Sequence, residues 1–235
     1  MRIATWNLER GGRSRAARPA QEETLRALSA DVVVLTEPPA TYKNGPGVVA
    51  SPALRSGAGG HESWVAIVGA AVEPVPLDIP YERLAVAARI VVGGRGVIVY
   101  GAVLPWLSVR SHAPHLVRKG EEFSDVFKRV LEEQRADLSK LLAIGEPVVW
   151  AGDFNQTIVG PNQGGSKMAR VALNKCLAEL GFVAWNGEAD HARENLRAID
   201  LICGPKGQTT LAQGRIDPTR DGVRMSDHAG YWVDL

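Results

Sequence analysis

Four short stretches of this chain carry side chains suited to holding a cation and hydrolysing a phosphate ester. They are Trp6-Asn7-Leu8, Glu37 after Val32-Val33-Val34-Leu35-Thr36, Gly152-Asp153-Phe154-Asn155, and Ser226-Asp227-His228. Such hydrolysis needs positive charge against the phosphate, a water aimed in line, and a stabilised leaving oxygen. Mg²⁺ takes hard oxygen ligands and keeps several waters, so one or two carboxylates suffice to hold it. Glu37 is the best single ligand candidate, because it ends a buried apolar run and precedes Pro38-Pro39. Asp227 is a second metal-capable carboxylate, and His228 beside it adds an imidazole. Asp153 and Asn155 alternate about Phe154, which in an extended chain turns both to one side and Phe154 into the core. Asp200 lies inside the apolar run Ala198-Ile199-Asp200-Leu201-Ile202. A buried carboxylate needs a partner, and His228 is the natural one, which Asp200 would orient and keep protonated.

Each stretch taken singly has a plainer reading. Gly-Asp-Phe-Asn is a common turn with an Asx hydrogen bond, Ser-Asp-His a common surface tripeptide, Glu37 a capping group, and Asp200 a carboxylate satisfied by a backbone donor. It is their combination, each at the end of an apolar run, that points to chemistry.

The elements that must position these groups are legible in outline. Residues 2–8 read as a strand. A helix is expected from Pro19 to about Ala30, followed by a strand at 31–36 with the continuous β-branched character of burial on both faces. Residues 40–62 are rich in Gly, Pro and Ser, with room for a short strand at Val48-Val49-Ala50. Strands follow near 63–69, 84–92 and 96–103, with Gly93-Gly94 as the turn between the last two. Pro105 to Gly120 reads as a loop. From Phe123 to Leu142 the apolar residues fall at i, i+4, i+7, the stripe of an amphipathic helix, stopped by Gly145 and Pro147. A strand at 148–151 delivers Asp153. Ser166 is placed to cap a helix to Leu180, and strands are expected at 182–185, 198–203 and 229–234.

The chain has 235 residues, 45% hydrophobic and 23% charged, with a formal net charge of +1. That composition supports one domain over 1–235 with a core that needs no staple. The near-zero charge rules out a strong global field for polyanions, leaving local patches to decide. Cys176 and Cys203 sit in apolar surroundings and read as buried thiols. Met1-Arg2 runs directly into a strand-like segment and no apolar stretch is long enough for a bilayer, so a cytoplasmic location without membrane insertion is the expectation. No protein partner is evident.

Taken in order from Trp6-Asn7-Leu8 to Ser226-Asp227-His228, the motifs resemble those of the endonuclease/exonuclease/phosphatase superfamily, which includes pancreatic-type deoxyribonucleases, exonuclease III-like apurinic endonucleases, inositol polyphosphate 5-phosphatases and neutral sphingomyelinases. The resemblance covers essentially the whole chain. It implies a four-layer α/β sandwich, with two packed, mostly antiparallel β-sheets flanked by helices. It implies Mg²⁺, with Mn²⁺ as a substitute, held by Glu37, Asp227 and Asn7. It implies that Asp153 positions or deprotonates the attacking water, that Asn155 contacts the phosphate, that Asp200 orients His228, and that His228 polarises the scissile phosphate. Asn7 belongs to the same catalytic set.

The sequence departs from the family in two places. Many members carry a Tyr or His at the end of the central strand, where this chain has Val103-Leu104; His112 and His115 in the next loop are candidate replacements. Abasic-site enzymes of this kind place an aromatic residue three positions before the late-strand Asp, where this chain has Arg197, which suits a phosphate contact instead. A second acidic group of the deoxyribonuclease type would fall on Glu62 in His61-Glu62-Ser63-Trp64.

Arginines flank every segment that reaches the proposed site: Arg10, Arg13, Arg15 and Arg18 after Asn7, Arg193 and Arg197 before Asp200, and Arg215, Arg220 and Arg224 before Asp227. Guanidinium forks match phosphate oxygens. Arg13, Arg197 and Arg224 are the candidate substrate contacts, with Trp106 as a base-stacking surface. A phosphate-ester substrate follows, a nucleic acid first. A small or lipid phosphate is the alternative, and a non-catalytic binding module with the same fold is a third reading.

Overall fold

The computed structural model describes residues 1–12, 14–52, 63–75, 77, 79–162 and 164–235. The first half of the chain forms β1 (Arg2–Asn7), α1 (Ala17–Leu28), β2 (Val32–Thr36), β3 (Val48–Ala50), β4 (Val65–Gly69), β5 (Val72–Pro74), β6 (Ala85–Val92) and β7 (Arg95–Val103). The short α2 (Val109–His112) and the long α3 (Phe123–Leu142) follow, then β8 (Val148–Asp153), α4 (Lys167–Glu179) and β9 (Phe182–Ala184). The chain closes with β10 (Asp200–Pro205), β11 (Ala212–Ile216), β12 (Thr219–Arg220), β13 (Val223–Arg224) and β14 (Gly230–Asp234).

The main strands form two six-stranded sheets, in the orders β11-β14-β1-β2-β4-β3 and β5-β6-β7-β8-β10-β9. Each holds a single parallel pair, β1–β2 in the first and β7–β8 in the second, and is otherwise antiparallel. The alternation of side chains along a strand separates the layers. In β1 and β2, Ile3, Val32 and Val34 join the large core shared with the second sheet, while Ala4, Trp6, Val33 and Leu35 pack on the other side with Leu25 and Leu28 of α1. Asn7 has the parity of Ile3, so it faces the second sheet. Gly101 of β7 makes the close approach of the sheets possible: a Cβ there would lie 2.8 Å from Val65 Cγ1 and 3.0 Å from Val34 Cγ1.

α3 covers the second sheet as its apolar stripe requires, burying Val126, Phe127, Val130, Leu131, Leu138 and Leu141. Full burial of such side chains is worth about 1.5–3 kcal/mol each. Two buried polar residues on the same face are put to use. Gln134 donates to the carbonyls of Arg83 (2.6 Å) and Val103 (3.0 Å), and Asp137 accepts from Arg83 (2.6 Å) and from the Tyr100 hydroxyl (3.0 Å). The helix thereby pins the end of β7 where it enters the site. With α1 outside the first sheet and α3 and α4 outside the second, the layers stack as a four-layer α/β sandwich.

The expected elements are present, with differences at their edges. α1 begins at Ala17, two residues before Pro19, and no side chain caps it. Ser166 does cap α4, its Oγ accepting from the Ala169 N–H at 3.1 Å. The Pro105–Gly120 loop contains α2 and a 3-10 turn at Pro114–Leu116. β5, β11, β12 and β13 were not expected. β11 is polar and largely exposed, so it carries no apolar alternation to read. Cys176 and Cys203 are buried free thiols. Among the described residues no helix is long and apolar enough to cross a membrane.

Candidate active site

The site gathers where strands of both sheets end. Asn7 is the last residue of β1 and Glu37 follows β2, its neighbour in parallel register. Asp153 ends β8 and is the Cα partner of Asp200 at the start of β10. Asp227 and His228 lie just before β14, separated from it by Ala229, and β14 lies against β1. The backbone of Gly152 adopts φ +140°, and a Cβ there would meet the Ala102 carbonyl oxygen at 1.9 Å. Only glycine allows β8 to lie this close to β7 as it delivers Asp153.

Asp153 is gripped from two sides. Asn7 Nδ2 donates to Oδ2 at 3.0 Å and the Asn155 backbone N–H donates to Oδ1 at 2.9 Å. The second contact corrects the expectation of strand alternation through Phe154. Asn155 has φ +51°, so the chain turns back on Asp153 as an Asx turn. Phe154 is buried, as expected. The Asn155 side-chain amide donates to the Leu104 carbonyl at 2.9 Å, which fixes its orientation.

His228 joins the two halves. Its Nδ1 donates to Asp200 Oδ2 at 2.6 Å and lies 4.0 Å from Asp153 Oδ2, while Nε2 is 3.9 Å from Asp227 Oδ1. The Ser226 hydroxyl donates to the Asn7 carbonyl (2.7 Å) and accepts the His228 N–H (3.1 Å), and Trp6 Nε1 donates to the His228 carbonyl (3.1 Å). The first and last strands are thereby bolted together at the histidine.

Two buried carboxylates facing one imidazole set the electrostatics. Burial, reinforced by the charge of Asp200, pushes the Asp153 carboxyl up to about 7, against the pull of His228 and the two hydrogen bonds. Burial also raises Asp200, with His228 opposing. For His228, burial disfavours the cation, but Asp200, Asp153 and Asp227 together outweigh it and push the ring up to about 10. One imidazolium serves both carboxylates, and Asp153 is left to titrate near neutrality. Glu37 is raised by burial as well, with Arg10 as the main opposing charge. The Glu37 and Asp227 carboxylates with the Asn7 amide are an all-oxygen donor set, which fits a hard divalent cation.

The rim differs from residue to residue. Glu37 takes a left-handed backbone (φ +44°) and lies 3.7 Å from Arg10 Nε. Arg10 stacks over Trp64, 5.2 Å from the ring centroid, and Trp64 in turn packs on Trp106 at 5.1 Å. Trp106 is thus partly engaged in an aromatic pair near Glu37. Arg224 reaches Glu9 (3.4 Å), the Ser226 carbonyl (3.2 Å) and Asp227 (4.0 Å). Arg197 pairs with Asp190 and lines, with Arg193 and Arg215, a surface groove of about 600 Å³ that His191 borders. Arg13, His61 and Glu62 lie outside the described residues. The two loop histidines are placed elsewhere: His112 is exposed on its own turn, with Nδ1 3.2 Å from the Ser108 carbonyl, and His115 lines a depression with Arg118 and Glu133.

Sequence reasoning missed His191. Its ring meets that of His228 edge-on, centroids 5.6 Å apart at 68°. A single histidine in the polar stretch Glu188-Ala189-Asp190-His191 leaves no periodic signal to find.

The sequence model of the Endonuclease/Exonuclease/phosphatase family matches residues 4–228. No curated protein matches the chain. Among solved structures, an AP endonuclease from Archaeoglobus fulgidus superposes with TM-score 0.68 at 19% identity, covering 100% of this chain and 99% of that one. The 3'-5' exonuclease NExo from Neisseria meningitidis gives TM-score 0.66 at 18% identity, covering 100% and 99%. The 3' phosphatase NExo from Neisseria bound to product DNA hairpin gives 0.61 at 18%, again covering 100% and 99%. At these identities the likeness is one of fold.

Proposed function

Because the chain belongs to the endonuclease/exonuclease/phosphatase family, and is thereby a hydrolase of phosphoester bonds, we propose that it is a Mg²⁺-dependent nuclease, one catalytic domain over residues 1–235, cleaving phosphodiester bonds in DNA or RNA. The observation that carries this reading is the clamp of Asp153, Asp200 and His228, closed by Asn7.

In this reading Glu37, Asp227 and Asn7 hold the cation, which supplies positive charge against the phosphate; Mn²⁺ would serve in its place. Asp200 holds the His228 ring by its Nδ1–H, leaving Nε2 as a charged donor toward a non-bridging phosphate oxygen. Asp153, held by Asn7 and the Asn155 N–H, accepts the proton of the in-line water. Asn155 presents its amide to the phosphate from the turn after Asp153. Arg197, Arg224 and Trp106, with Arg13, contact the rest of the substrate. Several phosphate contacts of this kind predict strongly salt-dependent binding.

A second reading is favoured by the groove beside His191. Its lining by Arg193, Arg197 and Arg215 suits a terminal phosphate better than an apolar sugar, so a phosphatase acting on a strand end or a small phosphate is the alternative. One experiment separates them: purified protein with Mg²⁺ or Mn²⁺ against single- and double-stranded DNA, RNA, 3'-phosphorylated ends, a model phosphodiester and nucleotide and inositol phosphates, with an Asp153→Ala/His228→Ala variant as control. Internal cleavage by the wild type alone supports the nuclease. Release of phosphate from ends or small esters alone moves the assignment to a phosphatase, and activity shared by the variant refutes the assigned roles.

A further inference from the structure

The loop between β9 and β10 is tied down at several points. The His191 N–H donates to the Leu196 carbonyl (3.0 Å), the Ala198 N–H to the Ala189 carbonyl (2.8 Å), and the Tyr231 hydroxyl of β14 to the Asp190 carbonyl (2.9 Å). His191 is thus held in a loop tied to the residues leading into β10 and, through Asp190, to β14, and it is only 5% exposed.

Its hydrogen bonds define its tautomer. Nδ1 accepts the Arg193 N–H at 2.9 Å, so the proton of the neutral ring sits on Nε2. Burial, with the neighbouring His228 charge, pulls the ring down to about 4, which keeps it neutral near pH 7. That Nε2–H is buried and has no acceptor among the described residues. Asp200 has the complementary defect: Oδ2 is taken by His228, while Oδ1 is buried without a donor. His191, Asp200 and His228 each bring one ligand-capable atom within 4.8 Å of the other two. A hydrogen bond across one ordered water spans such a gap. Two histidines and a carboxylate also resemble a transition-metal site, but a proton on Nε2 presents a donor where a metal needs a lone pair.

We propose that His191 is a positioning residue, whose Nε2–H satisfies Asp200 Oδ1 across one water, and so fixes the carboxylate against His228. Asp200 is then held from both oxygens, between one neutral and one catalytic imidazole. This rests on the reading of His228 as the phosphate-facing donor.

The test uses the full chain with three variants. His191→Phe keeps the ring shape without nitrogen. His191→Asn keeps an acceptor for the Arg193 N–H but does not reach Asp200. His191→Gln extends an N–H to the position of Nε2. The readouts are kcat and KM on whichever phosphoester the wild type hydrolyses, and the downfield proton resonance of the His228–Asp200 hydrogen bond. The expected result is a kcat at least about tenfold lower in the Phe and Asn variants, with KM changed less than about twofold, and recovery to within about threefold in the Gln variant. The downfield resonance is expected to shift or broaden in the first two only. Should His191→Phe not fold, His191→Asn decides alone. Wild-type kcat and an unmoved resonance in the deletion variants would overturn the proposal, as would a Gln variant no better than Asn. A wild type inactive on every ester would sink the functional reading instead, and the resonance would still decide the role of His191.

Discussion

At the scale of single residues, the site turns on Asp153, a buried carboxylate without a full counter-charge. Asp153→Asn keeps the shape and the contact with the Asn155 N–H. Turnover is expected to fall about 10²–10⁴-fold while the protein stays folded, checked by steady-state assay beside a thermal melt. The pH dependence follows from two groups. Asp153 must be ionised to accept a proton and titrates at about 7; His228 must be protonated and titrates at about 10. Activity should therefore rise with pH through about 7, hold, and fall near 10, as apparent values of the coupled cluster. A flat profile through neutrality would exclude Asp153 as the base. Stability carries the opposite sign. A carboxyl raised from 3.8 to about 7 stabilises the fold while protonated, so the metal-free protein should lose stability as pH rises from about 4 to about 7. In Asp153→Asn that slope should flatten, read by denaturant titration at several pH values. The pairing of Asp200 with His228 was legible in the sequence, because a carboxylate inside an apolar run demands a partner. The turn at Asn155 was not, since a left-handed asparagine leaves no pattern in its neighbours. His191 was hidden for a different reason: what it offers depends on a backbone N–H two residues on.

At the scale of elements, the strands were readable where both faces are buried and the helices where a stripe repeats. Val32–Thr36 and the stripe of α3 appear almost as expected. β11 was unreadable because an edge strand that is polar and exposed along nearly its whole length has no apolar alternation to show. Gly152 shows an element dictating a residue. Gly152→Ala would force its Cβ onto the Ala102 carbonyl and separate β8 from β7. A stability loss of about 2–3 kcal/mol is expected, measured by urea denaturation, with a loss of turnover because Asp153 shifts with the strand. A variant as stable as the wild type would show that β8 relaxes freely there.

At the scale of the molecule, the apolar core is built without the candidate cation ligands. The two apolar clusters join strands and helices from both halves of the chain, and the candidate ligands Glu37 and Asp227 lie at the rim with partial exposure. Chelation with EDTA is therefore expected to abolish turnover while leaving the far-ultraviolet circular dichroism unchanged, and added Mg²⁺ should restore the rate. Unfolding on chelation would mean that the ion holds the structure together. Two packed sheets with outer helices were legible at this scale through the resemblance of the ordered motifs to the family, and the spread of those motifs from Asn7 to His228 called for a fold that brings both ends of the chain together.

That meeting has a consequence for how the protein is made. The acid of the site arrives with the strand that the ribosome delivers late, and it docks beside the strand delivered early, through Ser226 on Asn7 and Trp6 on His228. Until the segment beyond Arg224 has emerged, the growing chain holds a base and only Glu37 and Asn7 of the cation set, with neither Asp227 nor the donor His228. A hydrolase of this design, if it cuts RNA, would be harmless to the message it is being read from.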